Sequence, residues 1–318
     1  MPNNTKETGP DLTATAVLAA KGRSFYWASH FLGKLHADRA TRLYRLCRHI
    51  DDIADECSSR SEASAELDRI VQAIRAGSSD DIIIEDGIQL FKECDIDAEV
   101  FIELIAGVQS DLLSVSIPDV DALLHYCYQV AGTVGLMMCK VLDTHNKEAF
   151  AHAVDLGIAM QLTNICRDIT ADAEMGRRYL PASLVGELAP HDLLGTSDTV
   201  RQTVQHGMSS LLAIADTYYL SGEQGLHHLP QGARAGILLC ARIYREIGKE
   251  LQRRRLCFWG ERAVVSSARK FFISLNALGT LVFRHVLWVR PLPHNAQLHL
   301  PLKRTLPRSA DSFLNHAR

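Results

Sequence analysis

The stretch YRLCRHIDDIADE, Tyr44 to Glu56, sets Asp51, Asp52, Asp55 and Glu56 within six positions of a pattern that otherwise reads as a helix. Like charges four apart on a helix cost a few tenths of a kcal/mol per pair, so the arrangement is unfavourable unless a cation sits among them. On a helix, Tyr44, Arg48, Asp51 and Asp55 fall at i, i+4, i+7 and i+11 on one face. Leu43, Leu46, Cys47, Ile50 and Ile53 supply the apolar side. A second stretch, MQLTNICRDITAD (Met160 to Asp172), repeats the device. Gln161, Asn164, Asp168 and Asp172 share a face there, and Met160, Leu162, Ile165 and Ile169 are apolar.

Outward from these two segments the same periodicity continues. Apolar residues recur at helical spacing and alternating runs are nearly absent, which predicts an all-α fold. Helices are expected over roughly 11–32, 37–58, 62–76, 97–114, 119–143, 147–172, 198–221, 232–256 and 261–289, with the β-branched patch at Ile82 to Glu85 belonging to a helix or its approach. Breaks fall at Gly77-Ser78-Ser79, at Ile117-Pro118-Asp119, from Gly176 to Pro190 and at Leu229 to Gly232. No internal period or linker divides the chain, so residues 1–290 read as a single domain. Residues 291–318 are punctuated by Pro, basic, and expected to be irregular.

At 318 residues and 47% hydrophobic, the chain has enough apolar surface for a large core. From residue 251 onward 12 Lys and Arg face 2 Asp and Glu, so an acidic body carries a basic end. Eight cysteines are scattered over helices without a CxxC pair, as free thiols in a reducing compartment would be. The fourteen histidines form no HExxH, which argues against zinc. The first residues have neither signal-peptide nor transit-peptide character, and Phe271 to Phe283 is too short an apolar run to span a bilayer.

Carboxylate and amide oxygens without nearby His or Cys are hard ligands suited to Mg²⁺, with Mn²⁺ as the other candidate. One DxxxD on a helix is usually a solvated face. Two of them, each continued by Arg or Asn on the same face, are expected to confront each other and hold Mg²⁺ ions whose remaining positions go to a diphosphate. Arg48, Arg167, Arg177 and Arg178 stand on or just after the stripes, where guanidinium groups bind phosphate oxygens.

LYRLCRHIDDIADE, YCYQVAGTVGLMM (Tyr126 to Met138) and QLTNICRDITADAEMGRRYLP (Gln161 to Pro181) resemble three signature segments of the squalene/phytoene synthase family, in order. The resemblance runs from about Lys21 to Lys270 and looks most like the bacterial phytoene synthases. DDIAD also fits the DDxxD of head-to-tail synthases, but DITAD lacks the paired second Asp, and the trailing GRRYLP belongs to the head-to-head branch. The resemblance implies an isoprenoid-synthase helical bundle with a central apolar cavity. It makes Asp51, Asp55, Asn164, Asp168 and Asp172 the metal ligands. Tyr44, Arg48, Gln161 and Arg167 become diphosphate-binding residues, joined by Lys21, Gly22, Arg23 and Ser24, while Tyr126 and Tyr244 line the reaction chamber. Arg269 or Lys270 is a weaker candidate for diphosphate. Gly132 and Gly135, costly in a helix, mark a bend or close packing.

The implied reaction joins two geranylgeranyl diphosphates head to head, through a cyclopropylcarbinyl diphosphate, to phytoene. A farnesyl-using synthase of squalene, dehydrosqualene or presqualene diphosphate, and a non-catalytic scaffold relative, stay open beside it. Ser29, one turn after Phe25, leaves space for a long tail. The expected partners are prenyl diphosphates rather than nucleic acid. The expected location is the cytoplasm, with a peripheral contact on the inner membrane through Phe258, Trp259 and residues 271–289, the alternative for that last stretch being a buried helix.

Overall fold

The computed structural model describes residues 23–57, 59–144, 146–283 and 293–305. In chain order the helices are α1 (Arg23–Ser29), α2 (Lys34–Glu56), α3 (Arg60–Ala76), α4 (Ile82–Cys94), α5 (Ala98–Ser110), α6 (Val120–Cys127), α7 (Thr133–Val141), α8 (Glu148–Arg167), α9 (Ile169–Glu174), α10 (Ala182–Val185), α11 (Asp198–Gly225), α12 (Gln231–Arg253), α13 (Ser267–Phe283) and α14 (Leu300–Thr305). Extended pairing among the described residues is confined to one isolated bridge, Ser116 with Arg178.

Local chemistry starts and stops these helices. Asp81, Asp97 and Asp119 cap α4, α5 and α6 by accepting from backbone N–H groups of the first turn. Gly77, at φ 75°, closes α3 in the left-handed conformation that suits glycine. The patch at Ile82 therefore opens a full helix, because Asp81 accepts from the backbone N–H of both Ile83 and Ile84. The expected helix over 147–172 bends at Asp168, where φ −106° and ψ 14° separate α8 from α9. The expected helix over 261–289 begins only at Ser267.

α8 is the axis of the molecule. It is buried on most of its circumference, with α11 packed along it and α7 and α12 on other sides. One contiguous apolar cluster extends from Leu43 through Leu302. Between α6 and α7, Tyr128–Gly132 forms a π-helical turn, the kind of local widening that bends a helix. Beyond it the backbones nearly touch: a Cβ on Gly135 would lie 2.2 Å from the carbonyl oxygen of Ala153, and one on Gly157 equally close to that of Ala131. Of the bend or close packing expected at Gly132 and Gly135, Gly132 lies in the π-helical turn and Gly135 in the close contact.

Part of the tail expected to be irregular is ordered. Ala296–His299 forms a 3₁₀ turn leading into α14, Leu302 enters the core, and Tyr218 donates to the carbonyl of Leu298 at 2.7 Å. Pro-rich composition hid this because the anchoring partners lie more than 70 residues away.

Candidate active site

α2 carries the first acidic row and α8 with α9 the second. Asp51 of the first and Gln161 and Asn164 of the second reach one cavity of ≈ 320 Å³, which runs along α8 from Ala149 to Asn164. Tyr44 and Asp51 of α2, Gln161 and Asn164 of α8, and Tyr244 of α12 line one end of it. The remaining lining is mostly Leu, Val, Ile, Met, Ala and Gly, with Phe25 and Ser29 of α1 among it. The rings of Tyr44 and Tyr244 flank Phe25, with centroids at 5.9 and 5.3 Å. Arg177, just after the second row, donates to Asp55 of the first at 2.9 Å. The two rows therefore meet across a shared mouth.

The mouth is a crowd of desolvated carboxyls. Burial pushes Asp51 up to about 7, Arg48 pulls it back, and Asp55, Asp52 and Asp111 add to the rise. Burial, followed by repulsion from Asp168, takes Asp172 up to about 7. Burial also works to raise Asp168, but bonds from two arginines win and hold its carboxyl below the usual range. Arg167 reaches its oxygens at 2.9 and 2.5 Å, and Arg262 at 2.7 and 2.9 Å. Arg48 pairs with Asp52, and its Nε is buried without a partner.

A hard dication suits these groups. The amide oxygen Oδ1 of Asn164 is buried with no hydrogen-bond partner, while Nδ2 of the same side chain donates to Gln161 at 3.3 Å. An orphaned acceptor beside carboxyls that repel one another is the pattern expected where a cation completes the coordination.

Several sequence expectations change. Tyr126 is not part of the cavity wall: its hydroxyl donates to Asp111 at 2.9 Å and its ring stacks on Tyr179, which donates to the other oxygen of Asp111 at 2.7 Å. Arg178 is a structural residue rather than a phosphate ligand. It is buried and donates to the carbonyl of Leu180, the carbonyl of Ile117 and Ser116 Oγ, pinning the loop after the second row. Arg269 is engaged by Glu246. Lys21 and Gly22 lie outside the described residues, and Arg23 and Ser24 open α1. Asp111 and Arg262 were missed, since neither belongs to a spaced motif. Burial, with a smaller push from Asp55, holds Asp111 at about 6 even with both tyrosines bonded to it.

A bundle that sets two acidic rows and their arginines at the mouth of an oily channel is built for a polyanionic head joined to a hydrocarbon tail. The family model described as squalene/phytoene synthase matches residues 18–269, and the chain belongs to that family. Among its relatives are the 15-cis-phytoene synthase of Enterobacter agglomerans, 31% identical over 293 residues, covering 85% of this chain and 98% of that protein, and the phytoene synthase of Pseudescherichia vulneris, 29% identical and covering 88% and 94%. A dehydrosqualene synthase crystal structure superposes with a TM-score of 0.75 at 24% identity, covering 84% of this chain and 95% of that one. The squalene synthase HpnC of Alicyclobacillus acidocaldarius gives 0.66 at 19%, covering 76% and 92%. The fold is thus the all-α isoprenoid-synthase type. The family is a divalent-metal-dependent prenyltransferase type acting on prenyl diphosphates.

Proposed function

We propose that the protein condenses two geranylgeranyl diphosphates head to head to phytoene, with Asp51, Asp55, Asn164, Asp168 and Asp172 as Mg²⁺ ligands. The observation that carries the reading is the convergence of Asp51, Gln161 and Asn164 at one end of a single apolar cavity, together with relatives named phytoene synthase along most of the chain. Mn²⁺ is the other ion the oxygen donors suit.

An allylic diphosphate ionises slowly because its leaving group is a polyanion. Bound Mg²⁺ would supply Lewis-acid stabilisation of that group. Arg48, Arg167, Arg177 and Arg262, paired with carboxylates around the two rows, would meet the non-bridging oxygens and receive the charge that develops on departure. For Arg167, Arg177 and Arg262 this means exchanging a carboxylate partner for phosphate. Tyr44 and Tyr244, beside Phe25, wall the chamber just inside, and the aliphatic lining keeps water from the carbocation. The first cation adds to the double bond of the second substrate and a proton leaves to the released diphosphate, closing the cyclopropylcarbinyl diphosphate; this would ionise at the same mouth, rearrange, and lose a second proton to give phytoene.

Apolar product and substrate suit a peripheral membrane contact. α13 buries Ile273, Ser274 and Ala277 on one face and exposes Phe271, Phe272 and Leu275 on the other; Trp259 and Val264 are exposed as well. Phe258 is buried. No helix of the described residues is long and apolar enough to cross a membrane. Cosedimentation with anionic liposomes, reduced by Phe271→Ser with Phe272→Ser, tests that surface; equal pelleting of variant and parent removes it.

The deciding experiment is incubation with geranylgeranyl diphosphate and Mg²⁺, reading released diphosphate and chromatographed product. Phytoene supports the proposal. Turnover of farnesyl diphosphate alone would move the protein to the squalene-type branch, and a folded protein releasing nothing would leave a scaffold.

A further inference from the structure

The far end of the channel carries a polar network that the chemistry at the mouth does not use. Asp155 of α8 is fully buried. Its Oδ2 accepts from Ser221 Oγ at 2.5 Å and from His294 Nε2 at 2.8 Å, and its Oδ1 from His299 Nε2 at 2.8 Å. Both histidines belong to the ordered part of the tail, residues 293–305. Asp and two His match zinc ligands in type, and their donor atoms lie within 4.8 Å of one another. Each imidazole already meets its own carboxylate oxygen at hydrogen-bond distance, however, so the trio is complete as an anchor for the tail.

The anchor reaches the channel through one more bond. Ser221 gives its only proton to Asp155, so it accepts from Nδ1 of His152 at 3.1 Å, and that fixes the imidazole tautomer. His152 lines the cavity. Its ring cannot swing away: the edge of His294 lies at a centroid distance of 5.1 Å, His228 stacks at 6.1 Å, and a Cβ on Gly225 would fall 2.3 Å from the Cβ of His152. Burial, with His294 nearby, lowers His152 to about 4, so the ring beside the cavity is uncharged.

Position along the helix gives the depth. His152 lies twelve residues before Asn164 on α8, about 18 Å at 1.5 Å per residue. With carbon–carbon bonds of about 1.5 Å, an extended isoprene unit spans roughly 5 Å, a geranylgeranyl tail roughly 20 Å and a farnesyl tail roughly 15 Å. A geranylgeranyl tail anchored beside Asn164 would reach His152, and a farnesyl tail would stop short of it. Leu142, Ala149, Leu226 and Leu229 complete that end and are buried.

We infer that His152 is a specificity-determining residue in the wall at the deep end of the tail channel, and that the C-terminal segment positions it through His294, His299, Asp155 and Ser221. The inference rests on the prenyl diphosphate reading above. The tail would then act on chain length from outside the channel, without touching substrate.

The test is competition among the C15, C20 and C25 all-trans prenyl diphosphates with Mg²⁺, products read by chromatography. His152→Ala is expected to raise C25 use over C20 about tenfold or more, the scale on which pocket volume discriminates apolar groups. His299→Ala should raise the ratio less, and should add nothing in the His152→Ala background, because both act through one ring. His152→Phe, an independent variant should the alanine form not fold, should shift use from C20 toward C15. Unchanged ratios in the His152 variants, or a His299→Ala shift of equal size in both backgrounds, overturn the inference while leaving the wild-type reaction intact. A wild type that turns over none of the three overturns the function itself.

Discussion

Magnesium binding to the acidic mouth is expected to release protons, and the number released depends on pH in a way the structure sets. Asp51 and Asp172 stand at about 7 in the folded, metal-free protein, against about 3.9 for an unperturbed aspartate. A carboxyl of that strength is roughly three-quarters protonated at pH 6.5 and about one-tenth protonated at pH 8. Coordination requires the carboxylate, so the two groups together give up about 1.5 protons per chain at the lower pH and about 0.2 at the higher. Titration calorimetry with Mg²⁺ in two buffers of different ionisation enthalpy, at each pH, counts them directly. Asp172→Asn should remove roughly half of the release at pH 6.5. Fewer than about 0.3 protons at pH 6.5, or equal release at both pH values, would refute the reasoning, because a dication would not be displacing the protons that these buried carboxyls hold. The same shifts carry a sign for stability. A raised folded-state value means that the folded chain binds more protons than the unfolded one between about pH 4 and 7, so the metal-free protein loses stability as pH rises through that window. His152, lowered to about 4, acts in the opposite sense below its ordinary value near 6.5, which makes the proton count a cleaner readout than the melting temperature.

Other outcomes follow from single contacts. Ser29 lines the cavity one turn from Phe25, so Ser29→Phe should shift preference toward farnesyl diphosphate; an unchanged preference in a competition assay counts against that wall. Arg262→Ala removes one of the two guanidinium groups on Asp168 and is expected to lower diphosphate release about 100-fold, the scale for losing one preorganised donor, with circular dichroism unchanged. Gly135→Ala would drive a methyl into the Ala153 carbonyl and should cost about 2 to 3 kcal/mol in denaturant titration, as overpacking does; a neutral effect would mean that α7 and α8 can separate.

Local rules made much of this molecule legible. The face shared by Tyr44, Arg48, Asp51 and Asp55 is a consequence of helical spacing within α2, whereas the row from Gln161 to Asp172 crosses the break at Asp168. The caps at Asp97 and Asp119 follow from residue type. What spacing does not carry is who meets whom across the bundle. Asp111 draws Tyr126 away from the chamber by a hydrogen bond fifteen residues long in sequence, and Arg262 reaches Asp168 across 94 residues. Arg178 looked like its neighbour Arg177 in sequence, yet one side chain turns inward to loop carbonyls and the other outward to Asp55. His294 and His299 sit in a Pro-rich, basic context, and only the buried carboxylate of Asp155 gives them a place.

The bridge from Arg177 to Asp55 and the clasp of Arg167 and Arg262 on Asp168 bear on the order in which ligands arrive. A dication entering by itself would strand guanidinium groups from their counter-ions, and a diphosphate entering by itself would strand the acids. When the two come in as a complex, every charge trades one partner for another and none is left alone. On the proposed reading, the site would bind the metal salt of a diphosphate more tightly than either ion separately, and the partner exchange would double as an admission check before any carbon–oxygen bond is broken.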